Sequence, residues 1–160
     1  MKTLIVYYSL SGTARAVAEA LAEELSADID EIRCARYRPG FWVFIKGSYD
    51  SATGRLPAIE RPMHAPAPYD LVVIGGPMWV SRPAPPVRAY LQQAAGDLSS
   101  AAFFLTYGGS SPDKAFREME ALAEVAPKAT LAVRQMDVEA GRIKPAVSSF
   151  AASLRKSKAA

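Results

Sequence analysis

Short apolar, β-branched runs alternate along the chain with stretches in which apolar residues recur every three to four positions. TLIVYY at 3–8 has the uninterrupted apolar character of a strand covered on both faces. Immediately after it, Val17, Leu21 and Leu25 recur at helical spacing with Ala14 and Ala18 beside them, while Arg15, Glu19, Glu23 and Glu24 supply a polar side. This predicts a helix beginning near Ser11 or Gly12. DIDEIRC at 28–34 places polar residues around Ile29 and Ile32, as an edge strand does. DLVVIGG at 70–76 and AAFFLTYGG at 101–109 are two further buried strands, each closing on paired glycines, and ATLAVRQMDV at 129–138 is read as the last. Amphipathic helical stretches fill 84–95, 113–126 and 141–157.

Strand and helix thus alternate with short connections, which implies parallel strands joined by right-handed crossovers and an open sheet with helices on both faces. The fold class is α/β, a three-layer sandwich around a five-stranded parallel sheet. Residues 37–68 break the alternation: Phe41, Phe44, Ile45 and Ser48 form a helical stripe, and the proline-rich LPAIERPMHAPAP then leads to the next strand. A short helix followed by an extended linker over the sheet edge is the expectation there. No internal repeat or second boundary appears, and 160 residues suit one domain spanning 1–160.

Composition narrows the chemistry. A single cysteine, Cys34, leaves no internal disulfide framework or clustered thiolate site, and a single histidine, His64, leaves little for a zinc or iron centre. No metal is expected. The net charge of +3 is modest, and the basic residues are spread out except in the C-terminal LRKSK, which looks like a solvated helix end. Nucleic acid is therefore not an expected partner. One lysine and a five-residue apolar run at the N-terminus fall short of a secretion signal, and no run approaches the ~20 apolar residues of a membrane span, so a cytoplasmic location is expected.

In open parallel sheets, ligands bind outside the carboxyl ends of the strands, where the winding direction reverses. Three loops fall there: YSLSGTAR, GGPMWVSRPAPP and TYGGSSPD. The first is a glycine-bearing turn into a helix, whose free amides and dipole attract an anion, and Ser9, Ser11 and Thr13 add uncharged donors. It lacks the lysine of a nucleotide-triphosphatase loop, and the chain has no G-x-G-x-x-G, so a phosphate monoester fits best. A serine-rich helix cap is the plainer alternative. In the second loop Trp79 follows Pro77 and Met78 and offers a stacking surface for a flat heterocycle, unless it simply packs under the next helix. In the third, Tyr107 supplies a second aromatic wall, and Gly108 and Gly109 let backbone amides come close; the plainer alternative is an ordinary glycine turn.

The combination S-x-S-G-T at 9–13, GGPMWVSRPAPPVRAYL at 75–91 and TYGG at 106–109 resembles the flavodoxin-like FMN-binding proteins over essentially the whole chain. The resemblance implies a flavodoxin-like strand order of 2-1-3-4-5 and FMN as cofactor. It implies that Ser9, Ser11, Gly12 and Thr13 wrap the FMN phosphate, with Leu10 and Ala14 also among the cofactor-binding residues. Pro77, Met78, Trp79 and Val80, with Thr106, Tyr107, Gly108, Gly109 and Ser110, would then contact the isoalloxazine, Trp79 and Tyr107 flanking it. The family loop usually reads T/S-x-T-G-x-T. Ala14 replaces the last hydroxyl, a loss of roughly 1 kcal/mol or somewhat more toward a charged acceptor.

Relatives of the same architecture are excluded by their missing parts. Response regulators need acidic residues at the first strand end and a phosphoacceptor aspartate after the third, where this chain has Tyr8, Ser9, Gly75 and Gly76. Small tyrosine phosphatases need a cysteine and arginine in the first loop, and Cys34 lies elsewhere; Cys34 reads as a buried or edge-strand residue and His64 as a surface one. No catalytic side chain is required, because a flavin carries its own redox chemistry. Electron transfer or flavin-dependent oxidoreduction is the expected function, with a redox partner protein or an NAD(P)H/quinone-type small molecule as partner. The pI near 9.1 weighs against an acidic shuttle, and Arg82 and Arg88 are candidates to attract a nucleotide phosphate, or else exposed helix-start residues. A cofactor-free binding scaffold is the alternative of a different class, and Ala14 is the feature that favours it.

Overall fold

The computed structural model describes residues 1–159. In chain order the elements are β1 (Thr3–Tyr7), α1 (Thr13–Leu25), β2 (Asp28–Glu31), α2 (Phe41–Thr53), β3 (Leu71–Trp79), β4 (Arg82–Pro83), α3 (Pro85–Ala94), β5 (Ala101–Tyr107), α4 (Asp113–Ala123), β6 (Pro127–Arg134), α5 (Gln135–Glu139) and α6 (Lys144–Ala159). Five strands pair in parallel in the order β2-β1-β3-β5-β6. Counted along the sheet strands alone, this is the expected 2-1-3-4-5 order. The two-residue β4 is an addition: it folds back antiparallel on the end of β3 as a hairpin where the sequence predicts a loop.

Strand alternation divides the core in two, because successive side chains point to opposite faces. Leu4, Val6, Val72, Ile74, Phe103 and Leu105 face Val87 and Leu91 of α3 and Met119 of α4. Ile5, Tyr7, Val73, Phe104 and Leu131 face Val17 and Leu21 of α1 and Val147, Phe150 and Leu154 of α6. The glycines closing the buried part of β3 are steric necessities: a Cβ on Gly75 would lie 2.3 Å from the Phe104 ring.

The largest differences from the expected boundaries lie near the C-terminus. The last strand stops at Arg134 instead of running to 138, because β5 ends at Tyr107 and offers Arg134 its final pairing partner. Gln135–Glu139 then coils into a short helix with Asp137 in its first turn, where the helix dipole favours a carboxylate. The final helix starts at Lys144 instead of 141, after Gly141 in a left-handed conformation and with Pro145 in its first turn. In the 37–68 segment a helix and an extended linker do form. The linker crosses the outer edge of β2, where the Glu60 amide donates to the Arg33 carbonyl (2.9 Å) and the His64 amide to Asp30 Oδ2 (2.8 Å). The helical stripe faces outward: α2 buries Val43, Gly47, Asp50 and Ser51, and leaves Phe41, Phe44 and Ile45 exposed.

Candidate functional site

β1 and β3 are neighbours, yet the chain leaves β1 toward β2 on one side and returns to β3 on the other. That reversal opens a crevice at the carboxyl ends of the strands. On its first side, β1 ends at Tyr7 and the chain turns through Gly12, whose φ of 96° is a left-handed value that a side chain would resist. The Gly12 amide donates to Ser9 Oγ (3.1 Å), and the Ser11 and Thr13 hydroxyls share a 3.2 Å hydrogen bond. α1 begins at Thr13 with no side-chain cap and no acidic residue in its first turn. Its leading amides therefore point outward with their dipole uncompensated. Arg15 is turned to Glu31 (2.7 Å), which leaves neutral donors as the polar lining of this turn.

The second side is the hairpin after β3. Val80 (φ 51°) and Ser81 (φ 60°) both adopt left-handed backbone between the paired residues Trp79 and Arg82, the geometry that two-residue hairpins require. A β-branched residue in that region is strained by about 1–2 kcal/mol. The hairpin is clamped from behind. Arg82 Nε donates to both Glu118 oxygens (3.0 and 3.2 Å), and its Nη1 donates to the Ser51 carbonyl (2.6 Å). Arg88 is only 1% exposed, and donates to the carbonyls of Pro83 (3.1 Å) and Asp50 (3.3 Å); burial first, and then Arg82, pull its pKa below the ordinary arginine value. Neither arginine is an exposed helix-start residue or a docking point for a nucleotide phosphate: both brace the hairpin.

Trp79 is half-buried, but the helix that covers it is α2, with Gly47 against its six-membered ring. The Tyr8 and Tyr37 rings meet the indole edge-on, at centroid distances of 5.8 and 5.2 Å. It borders the crevice as a fixed wall. Behind it, the fully buried Asp50 accepts from Arg36 Nε (2.5 Å) and the Tyr37 hydroxyl (2.5 Å). Burial alone would raise the Asp50 pKa, yet Arg36 and Tyr37 outweigh it and leave the carboxyl below its ordinary value.

The third side is the end of β5. Thr106 is buried and Tyr107 half-buried, and the Arg134 guanidinium lies beside the Tyr107 hydroxyl, which raises the arginine's pKa. Ser81 Oγ donates to Ser110 Oγ (3.0 Å) and ties the second loop to the third.

The resulting crevice, about 350 Å³, is lined by Ser9, Leu10, Ser11, Thr13, Ala14, Pro77, Met78, Trp79, Thr106, Tyr107 and Gly108, with Phe44 and Gln135 added. Most of the residues singled out in the sequence therefore meet at one place. Four lie outside the lining. Gly12 forms the turn beneath it, Ser110 is held by Ser81, Gly109 is exposed next to Gly108, and Val80 lines an adjoining pocket of about 220 Å³ with Leu10, Val43, Phe44, Gly47, Ser48 and Trp79. Sequence reasoning missed Phe44 and Gln135. Gln135 gave no signal, because the run 129–138 enclosed it in the last strand, and Phe44 gave none, because its stripe indicated a short helix and no site.

Other candidates stand apart. Cys34 is half-buried, its Sγ 3.5 Å from the Ala58 carbonyl and its pKa raised chiefly by burial. Among the described residues, no group of three His, Cys, Asp or Glu side chains is placed to hold a metal ion, and no helix is long and apolar enough to cross a membrane.

The profile of the flavodoxin family matches residues 2–137. The chain belongs to the flavodoxin family. Solved structures agree with this chain in fold. A flavoprotein from Lactobacillus acidophilus NCFM, crystallised in complex with FMN, is 26% identical over 88% of this chain and 97% of its own, with a TM-score of 0.72. A putative flavoprotein from Bacteroides uniformis ATCC 8492 is 22% identical over 93% of this chain and 96% of its own, with a TM-score of 0.77. Oxidised flavodoxin 2 from Bacillus cereus is 16% identical over 98% and 99%, with a TM-score of 0.55. No curated protein matches the sequence.

Proposed function

We propose that this protein binds FMN in the crevice and acts in electron transfer or as a flavin-dependent oxidoreductase. The observation that carries the reading is the convergence of three loops, from the ends of β1, β3 and β5, on one crevice with polar donors at one end and aromatic walls at the other. The FMN-bound flavoprotein from L. acidophilus supports it.

The residues present fit the group. The volume lies in the range of small-molecule sites, about 300–1,000 Å³. The lining contains no carboxylate to repel a phosphate. In this reading the amides of Thr13 and Ala14, with the hydroxyls of Ser9, Ser11 and Thr13, hold the phosphate, and the Ser11–Thr13 hydrogen bond opens to supply donors. Trp79 and Tyr107 flank the ring system, with Leu10, Pro77, Met78 and Thr106 against its edges and the backbone of Gly108 to Ser110 near its polar side. FMN, when bound, supplies one- or two-electron transfer. The chain's part is to bind it, fix its orientation and exclude water. Leu10, Met78 and Trp79 are half-buried apolar walls suited to that last task.

The adjoining pocket favours the oxidoreductase version of this reading. It shares Leu10, Phe44 and Trp79 with the crevice and is otherwise lined mainly by apolar groups, so a flat small molecule of quinone type has a place beside the flavin. The arginines once available for an NAD(P)H phosphate are committed to the hairpin clamp.

The test is an FMN titration of the cofactor-stripped protein, followed by quenching of flavin fluorescence, with riboflavin as the phosphate-free control. Quenching by FMN with much weaker quenching by riboflavin is expected. Binding of neither would reject the reading in favour of a cofactor-free scaffold. Oxidation of NADH or NADPH with a quinone acceptor then separates an oxidoreductase from a protein-to-protein shuttle.

A further inference from the structure

Helix α2 carries its apolar face outward. Phe41 and Phe44 are each 73% exposed, Trp42 67%, Tyr49 60% and Ile45 49%. At 3.6 residues per turn these five span an arc of roughly 160°, opposite the buried Val43, Gly47, Asp50 and Ser51. Aromatic residues add nothing to helix propensity over alanine, and the core gains nothing from rings that point into water. Contiguous apolar surface of this kind marks a docking face.

The charge of the chain segment that carries this helix indicates its partner. Residues 33–61 hold six basic residues (Arg33, Arg36, Arg38, Lys46, Arg55 and Arg61) against Asp50 and Glu60, a net of +4. The chain as a whole carries +3, so everything outside this segment sums to −1. Asp50 is buried against Arg36, which leaves Glu60 as the segment's exposed carboxylate, while Arg33, Arg38, Lys46, Arg55 and Arg61 are exposed.

We propose that α2 docks this protein on an anionic lipid bilayer, with Phe41, Trp42, Ile45 and Tyr49 entering the boundary between headgroups and acyl chains. An exposed stripe of Trp, Tyr, Phe and Ile, with Lys46 on the same helix and exposed basic residues in the flanking segments, is the pattern of a helix that lies in the membrane interface. Anionic headgroups attract each nearby basic residue. A second copy of the chain fits less well, since a two-fold contact would set this positive segment against itself. The face is independent of the FMN reading, although Phe44 also lines the crevice, so docking would bring the crevice rim to the lipid surface.

The test is co-sedimentation of the full chain with phosphatidylcholine vesicles and with mixed phosphatidylcholine and phosphatidylglycerol vesicles, at low and high salt. Partitioning onto the mixed vesicles at least about tenfold above the neutral ones is expected, weakened by salt, with a blue shift of tryptophan emission. Lys46→Gln should lower it about fivefold, and the double variant Trp42→Ser, Ile45→Ser should abolish it without unfolding the protein, because both side chains are exposed. No association with anionic vesicles overturns the proposal: a dimer by light scattering would then assign the face to a second copy, and a monomer would leave it to an acidic protein. Equal partitioning of the double variant would also overturn the role of α2.

Discussion

The Trp79 indole stands edge-on to the Tyr37 ring, with centroids 5.2 Å apart and planes at 86°. The same tyrosine donates its hydroxyl to the buried Asp50, so the crevice wall and a charged network inside the fold share one side chain. Trp79→Ala is expected to weaken FMN binding about two- to twelvefold, from an aromatic contact of about 0.5–1.5 kcal/mol. Tyr37→Leu is expected to weaken it less, because Tyr37 does not line the crevice and acts only by holding the indole. Fluorescence titration of both variants checks the order; an unchanged affinity for Trp79→Ala would remove that residue from the site.

Asp50 should govern acid stability. Its carboxyl has a folded pKa below the ordinary value of about 3.9, so it binds fewer protons folded than unfolded near that pH. Its contribution is therefore complete above about pH 5, begins to fall near the unfolded value, and is lost as pH falls through the folded value. Asp50→Ala is expected to cost about 2–3 kcal/mol near neutral pH, on the low side for a broken buried pair because Arg36 keeps access to water. Denaturation curves at a series of pH values should show the gap between variant and parent closing at the acid end.

Ala14 lies at the start of α1 with its methyl group 1% exposed and packed among Val17, Tyr7 and their neighbours, while its residue also borders the crevice. Ala14→Ser is expected to tighten FMN about fivefold, the equivalent of one added hydrogen bond of about 1 kcal/mol. Ala14→Thr should gain less, since its extra methyl must be fitted into a packed core. Titrating FMN and riboflavin side by side would show the gain for FMN alone; a gain for both would move the phosphate elsewhere.

Val80 stores strain at the hairpin tip. Asparagine tolerates left-handed backbone better than a β-branched residue, so Val80→Asn is expected to stabilise the fold by about 1 kcal/mol and raise Tm by about 2–4 °C. Thermal unfolding of the cofactor-free protein reads this directly, and a lower Tm would mean that the Val80 side chain packs more strongly than its 55% exposure indicates.

The period of the apolar residues was enough to determine the sheet, its helices and the three loops at one end of it. Strand alternation and crossover handedness are local consequences of backbone geometry, so TLIVY, LVVIGG and AAFFLTY announce themselves. The hydroxyl turn and the TYGG loop were legible for the same reason, since a tight turn needs particular residues wherever it occurs. Tertiary contacts decided the rest. Trp79 and Gly47 are 32 positions apart, and only their packing shows which helix covers the indole. Arg82 and Arg88 looked like exposed cations until Glu118, Ser51, Asp50 and Pro83 closed around them. The apolar stripe of α2 was visible in the sequence, but a periodic pattern gives a face and not its direction. Which face turns inward depends on what the surrounding chain can bury, and here Val43, Gly47, Asp50 and Ser51 filled that space and left the rings outside.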